Sequence, residues 1–503
     1  MTPKKALPPS WKNVTLTGRN NLAADAPPLT NVSKNDPDFF TVTTFLPHFR
    51  LLSPELRPDF GLLIMRAWVA VGVYSLTAGF SPAADLPERD LLDLPAQATH
   101  ATFPEPNLSE VLLGQKLFYD PILSGNQTIA CATCHHPSLG TSDGMSLPIG
   151  DGGIGLGPDR TLRPGETVAA RIPRNAPALW NLGADSFEVM FHDGRLARDA
   201  SAPYGFTMPE GRDLPGPVDS LLAAQALLPV LSADEMAGHP DENPVADAVA
   251  ADDPAKAWGQ LAGRINGNTE YRILFNAVNG EEKVEITDIA NALAAFIAYE
   301  FRAINSPFDR YLAGDDTAMS PAAQQGMALF YGKAGCAGCH AGLLQSDQQF
   351  HAIGMPQIGP GKGGEIAYAD TGRHLVTGET VDFYRFRTPS LRNVALTAPY
   401  GHAGAYPDLV SVILHHMAPV DSLMTYDRSR ARLHPLPLND FAALDDEVEL
   451  FDIAAGIELA TIDLQEAEIR QILTFLNALT DANAAKGRLG VPDSVPSGLP
   501  VER

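Results

Sequence analysis

The stretch Cys131-Ala132-Thr133-Cys134-His135 recurs as Cys336-Ala337-Gly338-Cys339-His340, and the two copies use all four cysteines of the chain. Two thiols at this spacing can form thioethers to the two vinyl groups of one porphyrin, and the histidine that follows brings an imidazole under its iron. A lone C-x-x-C could instead be a redox dithiol, and two pairs could gather as a four-thiolate zinc site. Zinc has no need of a histidine after each second cysteine, and structural zinc usually draws its pairs from closer in sequence. The expectation is two covalently bound haem c groups, attached at Cys131, Cys134, Cys336 and Cys339, with His135 and His340 as proximal iron ligands.

A chain of 503 residues has room for two or three domains, and 45% apolar with 19% charged residues describes a globular protein. The formal charge of −24 excludes nucleic acid as a partner, because phosphates demand a basic footprint. An acidic surface suits a basic redox partner, and it also serves solubility alone. Near the N-terminus Met65-Arg66 leads into the apolar run Ala67 to Phe80 and then Ser81-Pro82-Ala83-Ala84, the pattern of a secretory signal peptide. Residues 1–64 are then a non-native or disordered extension, 65–83 the signal, and the mature chain starts near Ala84 in the periplasm, where c-type haem is attached in bacteria. A membrane anchor over 61–80 is the weaker alternative, since Arg66 interrupts the run that a span of about 20 apolar residues requires.

Residues 85–106, rich in Pro and Asp, form an extended lead-in. Leu108, Val111, Leu112, Lys116 and Leu117 set up an amphipathic helix that ends before Pro121, which cannot extend it. Gly114-x-x-Leu117-Phe118-Tyr119 precedes the first haem motif and Gly326-x-x-Leu329-Phe330-Tyr331 the second, so the chain contains an internal repeat. Ser320 caps the second of these helices and Pro321 opens it. Residues 147–177 are predicted as loop over a haem edge, and 219–230 and 286–304 as helices, the latter burying Ile286, Ile289, Leu293, Phe296 and Ile297. Residues 341–398 are loop-rich, 409–417 a short helix, and Asp463 is predicted to cap a last helix through Leu479. No sustained alternation of apolar and polar residues occurs. The predicted fold is mainly α, with two cytochrome c-like haem domains (84–315 and 316–485), long loops, little strand, and a tail over 486–503.

From about Leu108 to Leu479 the chain resembles the bacterial dihaem cytochrome c peroxidase family, which includes MauG, an oxidant of residues in a partner protein. The resemblance rests on Leu123-Ser124-Gly125 with the first haem motif, Arg174-Asn175-Ala176-Pro177, Asp193-Gly194-Arg195, Glu235-Met236 and Ser306-Pro307-Phe308-Asp309. It is completed by the second haem motif and the run from Thr388-Pro389-Ser390-Leu391-Arg392-Asn393 to Pro399-Tyr400. It implies that His135 belongs to the peroxidatic haem and His340 to the electron-transfer haem, with Pro229 and Glu235 as distal proline and acid. It further implies a calcium ion held by Asn175 and by the carbonyls of Thr397 and Pro399, all oxygen donors suited to a hard cation. Dimers are common in the family, so a homodimer is compatible with it.

Three positions depart from or vary within the family pattern. Asp151 stands where many members carry a histidine that blocks the distal face until the second haem is reduced, and His192 replaces the usual tryptophan between the haems. Counting from His402 places His416 where peroxidases have methionine and MauG tyrosine, so His416 rather than Met417 is the expected sixth ligand of the second haem, with His415 on a solvated helix face. The leading expectation is a dihaem peroxidase that reduces hydrogen peroxide with electrons from a small cytochrome c or cupredoxin. The rivals are a MauG-like oxidase of aromatic residues in a partner protein and a non-catalytic electron carrier; Pro229 and Glu235 speak against the last.

Overall fold

The computed structural model describes residues 92–165, 167–363 and 367–503; the expected extension, signal peptide and mature start lie outside them. The helices in chain order are α1 (Leu108–Tyr119), α2 (Cys131–Cys134), α3 (Leu221–Ala226), α4 (Pro244–Ala250), α5 (Pro254–Gly267), α6 (Thr269–Asn279), α7 (Ile286–Glu300) and α8 (Pro307–Leu312). They continue with α9 (Pro321–Tyr331), α10 (His374–Thr377), α11 (Leu409–Met417), α12 (Pro419–Met424), α13 (Ala442–Asp445), α14 (Glu447–Ala455) and α15 (Glu466–Ala478). Among the described residues strand is confined to short antiparallel pairings: 153–154 with 161–162, 350–351 with 386–387, and a three-stranded patch over 189–190, 196–198 and 206–207. Among the described residues no helix is long and apolar enough to cross a membrane.

The internal repeat has a packing cause. In the first core α1 lies on α7, and a Cβ on Gly114 would stand 1.8 Å from the carbonyl oxygen of Ala292. In the second, α9 lies on α15, and a Cβ on Gly326 would stand 1.9 Å from the carbonyl oxygen of Gln471. Each glycine lets two helix backbones meet, and the Phe-Tyr pair one turn later fills the space beside the contact. Phe118 packs on Phe296 with centroids 5.1 Å apart, and Phe330 on Phe475 at 5.2 Å. Each such fully buried ring stabilises the fold by about 1.5–3 kcal/mol. The second core is pinned by a buried ion pair between Arg392 and Asp309, with Asp309 also accepting from Ser306 Oγ at the start of α8.

The observed elements differ from the predicted ones in instructive places. The buried face of α1 is Val111, Leu113, Gly114, Leu117 and Phe118, whereas Leu108 and Leu112 are exposed, because the glycine contact with α7 fixes the rotation of the helix. The helix predicted over 219–230 stops at Ala226, and Pro229 opens a separate 3-10 turn. α7 ends at Glu300 rather than Ile304, and the face predicted for it is buried. The last helix starts at Glu466, with Glu468 accepting from Gln465 N at 2.8 Å, so Asp463 is not its cap. Helices α4 to α6 were not predicted.

The tail reaches back to the first core, where Val495 is buried and Gln115 Nε2 donates to Gly490 O at 2.8 Å. The lead-in reaches the other way, with Leu92 and Leu94 packed on the second core.

Candidate haem sites and distal pocket

The first haem motif is a single helical turn, which brings the side chains of Cys131 and Cys134 to one face and sets His135 at its end. His135 Nδ1 lies 3.0 Å from the carbonyl oxygen of Thr141. In the second motif a 3-10 turn over Cys336–Gly338 does the same, and His340 Nδ1 lies 3.1 Å from the carbonyl oxygen of Gln345. A carbonyl can only accept, so each Nδ1 carries the proton and the lone pair is left on Nε2, the tautomer that binds iron. Burial lowers the pKa of both imidazoles, that of His340 to about 4, so both stay neutral as ligation requires.

The rival readings of the cysteines fail on this geometry. Burial pushes Cys131 and Cys134 up to about 12 and Cys336 up to about 11, the reverse of a reactive dithiol with a lowered pKa. Among the described residues the one cluster of ligand atoms within 4.8 Å is Cys339, Asp347 and His351, so the two pairs do not converge on a shared zinc ion. The residues present fit two separate haem groups.

Glu235 sits in the tight turn Ala233–Ala237, just after the turn opened by Pro229. It is half-buried, and burial raises its carboxyl pKa, with Arg195 and Lys362 opposing and Asp234 adding to the rise. It is close enough to the first haem motif that its charge raises the thiol of Cys134. Two glycines let neighbouring chain close on this turn: a Cβ on Gly150 would stand 1.9 Å from Asp234 O, and Gly125 N donates to Met236 O at 2.7 Å. Asp151 is tied off, its carboxylate accepting from Asn126 Nδ2 at 2.7 Å and Thr128 Oγ1 at 2.8 Å.

In α11 the two histidines divide. His415 is buried, not solvated as expected, with Nδ1 3.0 Å from the Tyr406 hydroxyl and Nε2 2.8 Å from Ile353 O. His416 has Nδ1 2.8 Å from Val412 O and lies close enough to His340 that a charge on it lowers the His340 pKa. Met417 packs on the second core.

Between the motifs runs a buried polar seam. Arg174 donates to Asp193 at 2.6 Å and to Asp370 at 2.7 and 2.8 Å, joining the two halves. His192 Nε2 lies 3.2 Å from Asn175 O; burial, Arg174 and His402 lower its pKa to about 3. His402 stacks on Phe386 at 3.8 Å and its backbone oxygen accepts from Asn175 N. Asn175 directs Nδ2 at Met145 O, at 2.8 Å, which turns its Oδ1 elsewhere; its backbone is joined to the stretch that follows Thr397 and Pro399. Arg195 could be read from the Asp-Gly-Arg motif, but nothing in sequence pairs Lys362 with Glu235, or Arg160 with Cys134, on whose thiol its charge acts.

Fold and site together define a dihaem c-type cytochrome with an acid beside one haem motif. The family model described as di-haem cytochrome c peroxidase matches residues 109–317. The chain is 32% identical over 376 residues to the methylamine utilization protein MauG of Methylorubrum extorquens, covering 72% of this chain and 87% of that protein. It is 32% identical over 305 residues to the cytochrome c peroxidase Ccp of Escherichia coli, covering 60% and 51%. A solved MauG-like protein associated with microbial copper homeostasis superposes with a TM-score of 0.51 at 26% identity, over 80% of this chain and 96% of that one. The chain belongs to the dihaem cytochrome c peroxidase and MauG family, whose cofactors are two covalently bound haem c groups.

Proposed function

We propose that this protein is a periplasmic peroxidase that reduces hydrogen peroxide at the His135 haem with electrons entering through the His340 haem. The peroxidatic domain is centred on the His135 motif within the expected 84–315 and the electron-transfer domain on the His340 motif within 316–485, with Leu92 and Leu94 packed on the second core and the tail on the first. The observation that carries the reading is Glu235, a half-buried acid with a raised pKa beside the first haem motif. When bound, the haem iron supplies the site that holds peroxide and passes it electrons. Glu235 takes the proton from the inner peroxide oxygen and returns it to the outer one, by general acid–base catalysis worth about 10²–10⁴-fold. Pro229 opens the turn ahead of it, in the place the family resemblance gives the distal proline. Over one turnover, hydrogen peroxide, two protons and two electrons become two waters, and the electrons come from a small cytochrome c or cupredoxin. With both groups bound, His416 would be the residue that joins His340 in holding the second haem, and Asn175, Thr397 and Pro399 would hold a calcium ion.

A second reading has a specific observation behind it. Asp151, expected in place of the blocking histidine, is tied to Asn126 and Thr128, and the MauG of Methylorubrum extorquens is matched over most of its length. In that reading the oxidising equivalents pass to an aromatic residue of a partner protein. Steady-state turnover of the holoprotein with peroxide and reduced cytochrome c separates the two. Rapid turnover supports the peroxidase; no turnover, with peroxide still producing a long-lived oxidised state, replaces it with the MauG-like oxidase.

A further inference from the structure

Residues 488–503 are sewn along the first domain toward its haem turn. Lys116 Nζ donates to Ser494 O at 2.9 Å, and Ser497 Oγ to Asp120 at 2.6 Å. The track ends with Glu502, whose Oε2 accepts from Thr133 Oγ1, inside the haem motif, at 2.6 Å. Its Oε1 lies 3.7 Å from Arg160 Nη1.

Arg160 is 3% exposed and spends its donors on one turn of chain: Nε on Ile149 O at 2.7 Å, Nη2 on Gly150 O at 2.7 Å and Nη1 on Gly155 O at 2.8 Å. Only a guanidinium offers donors in a fixed fork of this kind, and an ammonium does not replace it. The turn so held is the one against which the distal acid rests. Asp151 N donates to Asp234 O at 3.2 Å, and a Cβ on Gly150 would stand 2.9 Å from Glu235 Cα. A buried guanidinium bonded to three neutral carbonyls still needs a counter-charge. Among the described residues the carboxylate within 4 Å of it is that of Glu502.

We propose that Arg160 and Glu502 are positioning residues for Glu235, so that the segment ending in Glu502 fixes, through the Arg160 fork, where the distal acid stands. This rests on the reading of Glu235 as the proton carrier. Neither residue touches peroxide; both act by holding the 149–155 turn.

The test uses holoprotein carrying Arg160→Lys, Glu502→Gln, or a chain ending at Leu499. Three quantities are followed: the rate at which peroxide alters the first haem's absorption as a function of pH, the electron paramagnetic resonance of that ferric haem, and the haem content. Arg160→Lys and the shortened chain should slow the reaction about tenfold or more, within the roughly 100-fold that a misplacement of one ångström costs. They should also displace the acid limb of the pH profile and broaden the resonance, with both haems attached and the second haem's spectrum unaltered. Glu502→Gln keeps the bond from Thr133 and should move all three readouts less, in the same direction. Wild-type rate, limb and resonance in folded variants would overturn the proposal. So would loss of haem attachment or of cooperative melting as the only change, since that marks a purely structural role. If Arg160→Lys does not fold, the shortened chain decides, because it leaves the three carbonyl bonds in place. A wild-type rate in Glu235→Gln would remove the proton-carrier reading instead; a slow Glu235→Gln beside a fast Arg160→Lys removes the positioning role alone.

Discussion

His416 Nδ1 lies 2.8 Å from the carbonyl oxygen of Val412, one turn back on α11. The bond repeats what Thr141 does for His135 and Gln345 for His340, placing the proton on Nδ1 and the lone pair on Nε2. His415 has no such freedom, with one nitrogen at Tyr406 and the other at Ile353. The choice between adjacent histidines thus comes down to which ring the fold has already used.

The second haem should therefore be ligated by His340 and His416 and be low-spin, without the near-infrared sulfur-to-iron band of methionine ligation. Two imidazoles also lower its potential relative to a His/Met pair. His416→Ala should turn this haem high-spin and leave the first haem's spectrum alone. The sulfur band in the native protein, or an unaltered spectrum in the variant, would transfer the role to Met417.

The resting enzyme should show one high-spin ferric haem by electron paramagnetic resonance. Asp151 is the residue expected where the blocking histidine stands, and its carboxylate accepts from Asn126 and Thr128. Peroxide should then react while both irons are ferric. Two low-spin signals, with reactivity only after partial reduction, would contradict this.

The seam between the halves gives an acid-sensitive stability. Burial works against ionisation of Asp193, yet Arg174 and Arg195 outweigh it and hold the carboxyl well below the usual range; Asp370 is likewise lowered by Arg174 against its burial. A carboxyl with a depressed folded pKa stabilises the fold above its unfolded pKa, near 3.9 for Asp. That stabilisation is lost as pH falls through the folded value. Asp370→Asn should cost about 3–5 kcal/mol near pH 7, as breaking a buried pair does, and should flatten the acid limb of the melting temperature. A variant that melts like wild type from pH 7 to pH 3 would remove the seam from the stability account.

The sequence was most legible where a residue's role is local. The haem motifs, the proline that ends α1 and the Ser320-Pro321 start of α9 need only neighbours in the chain, and each is found where the spacing put it. The repeat was visible as Gly114 and Gly326, but its meaning, two glycine contacts between helices far apart in sequence, was not. The rotation of α1 escaped for the same reason, since the partner α7 decides it and not the moment of the helix. His415 was misread because Tyr406 and Ile353 are joined to it only by the fold. Arg160, Lys362 and Glu502 were invisible, since only the fold brings Arg160 to Glu502 and Lys362 toward Glu235.

Glu235→Gln is the decisive substitution for the distal pocket. It keeps size and one acceptor oxygen while removing the group that carries a proton, so peroxide reaction should slow by about 10²–10⁴-fold with both haems attached. The pH dependence adds a signature that a lost contact would not give. Burial raises the Glu235 pKa, with Arg195 and Lys362 only partly offsetting it, so the acid form persists to higher pH than for an exposed glutamate. Below that pKa the carboxyl already holds a proton and cannot accept the one on peroxide; above it the carboxylate can. The native rate should climb with pH through an inflection above the ordinary Glu value near 4.3. In Glu235→Gln that inflection should vanish and leave a slow rate flat across the same range. Unchanged turnover, or an inflection that survives the substitution, would make Glu235 a bystander and move the proton shuttle to another group of the pocket.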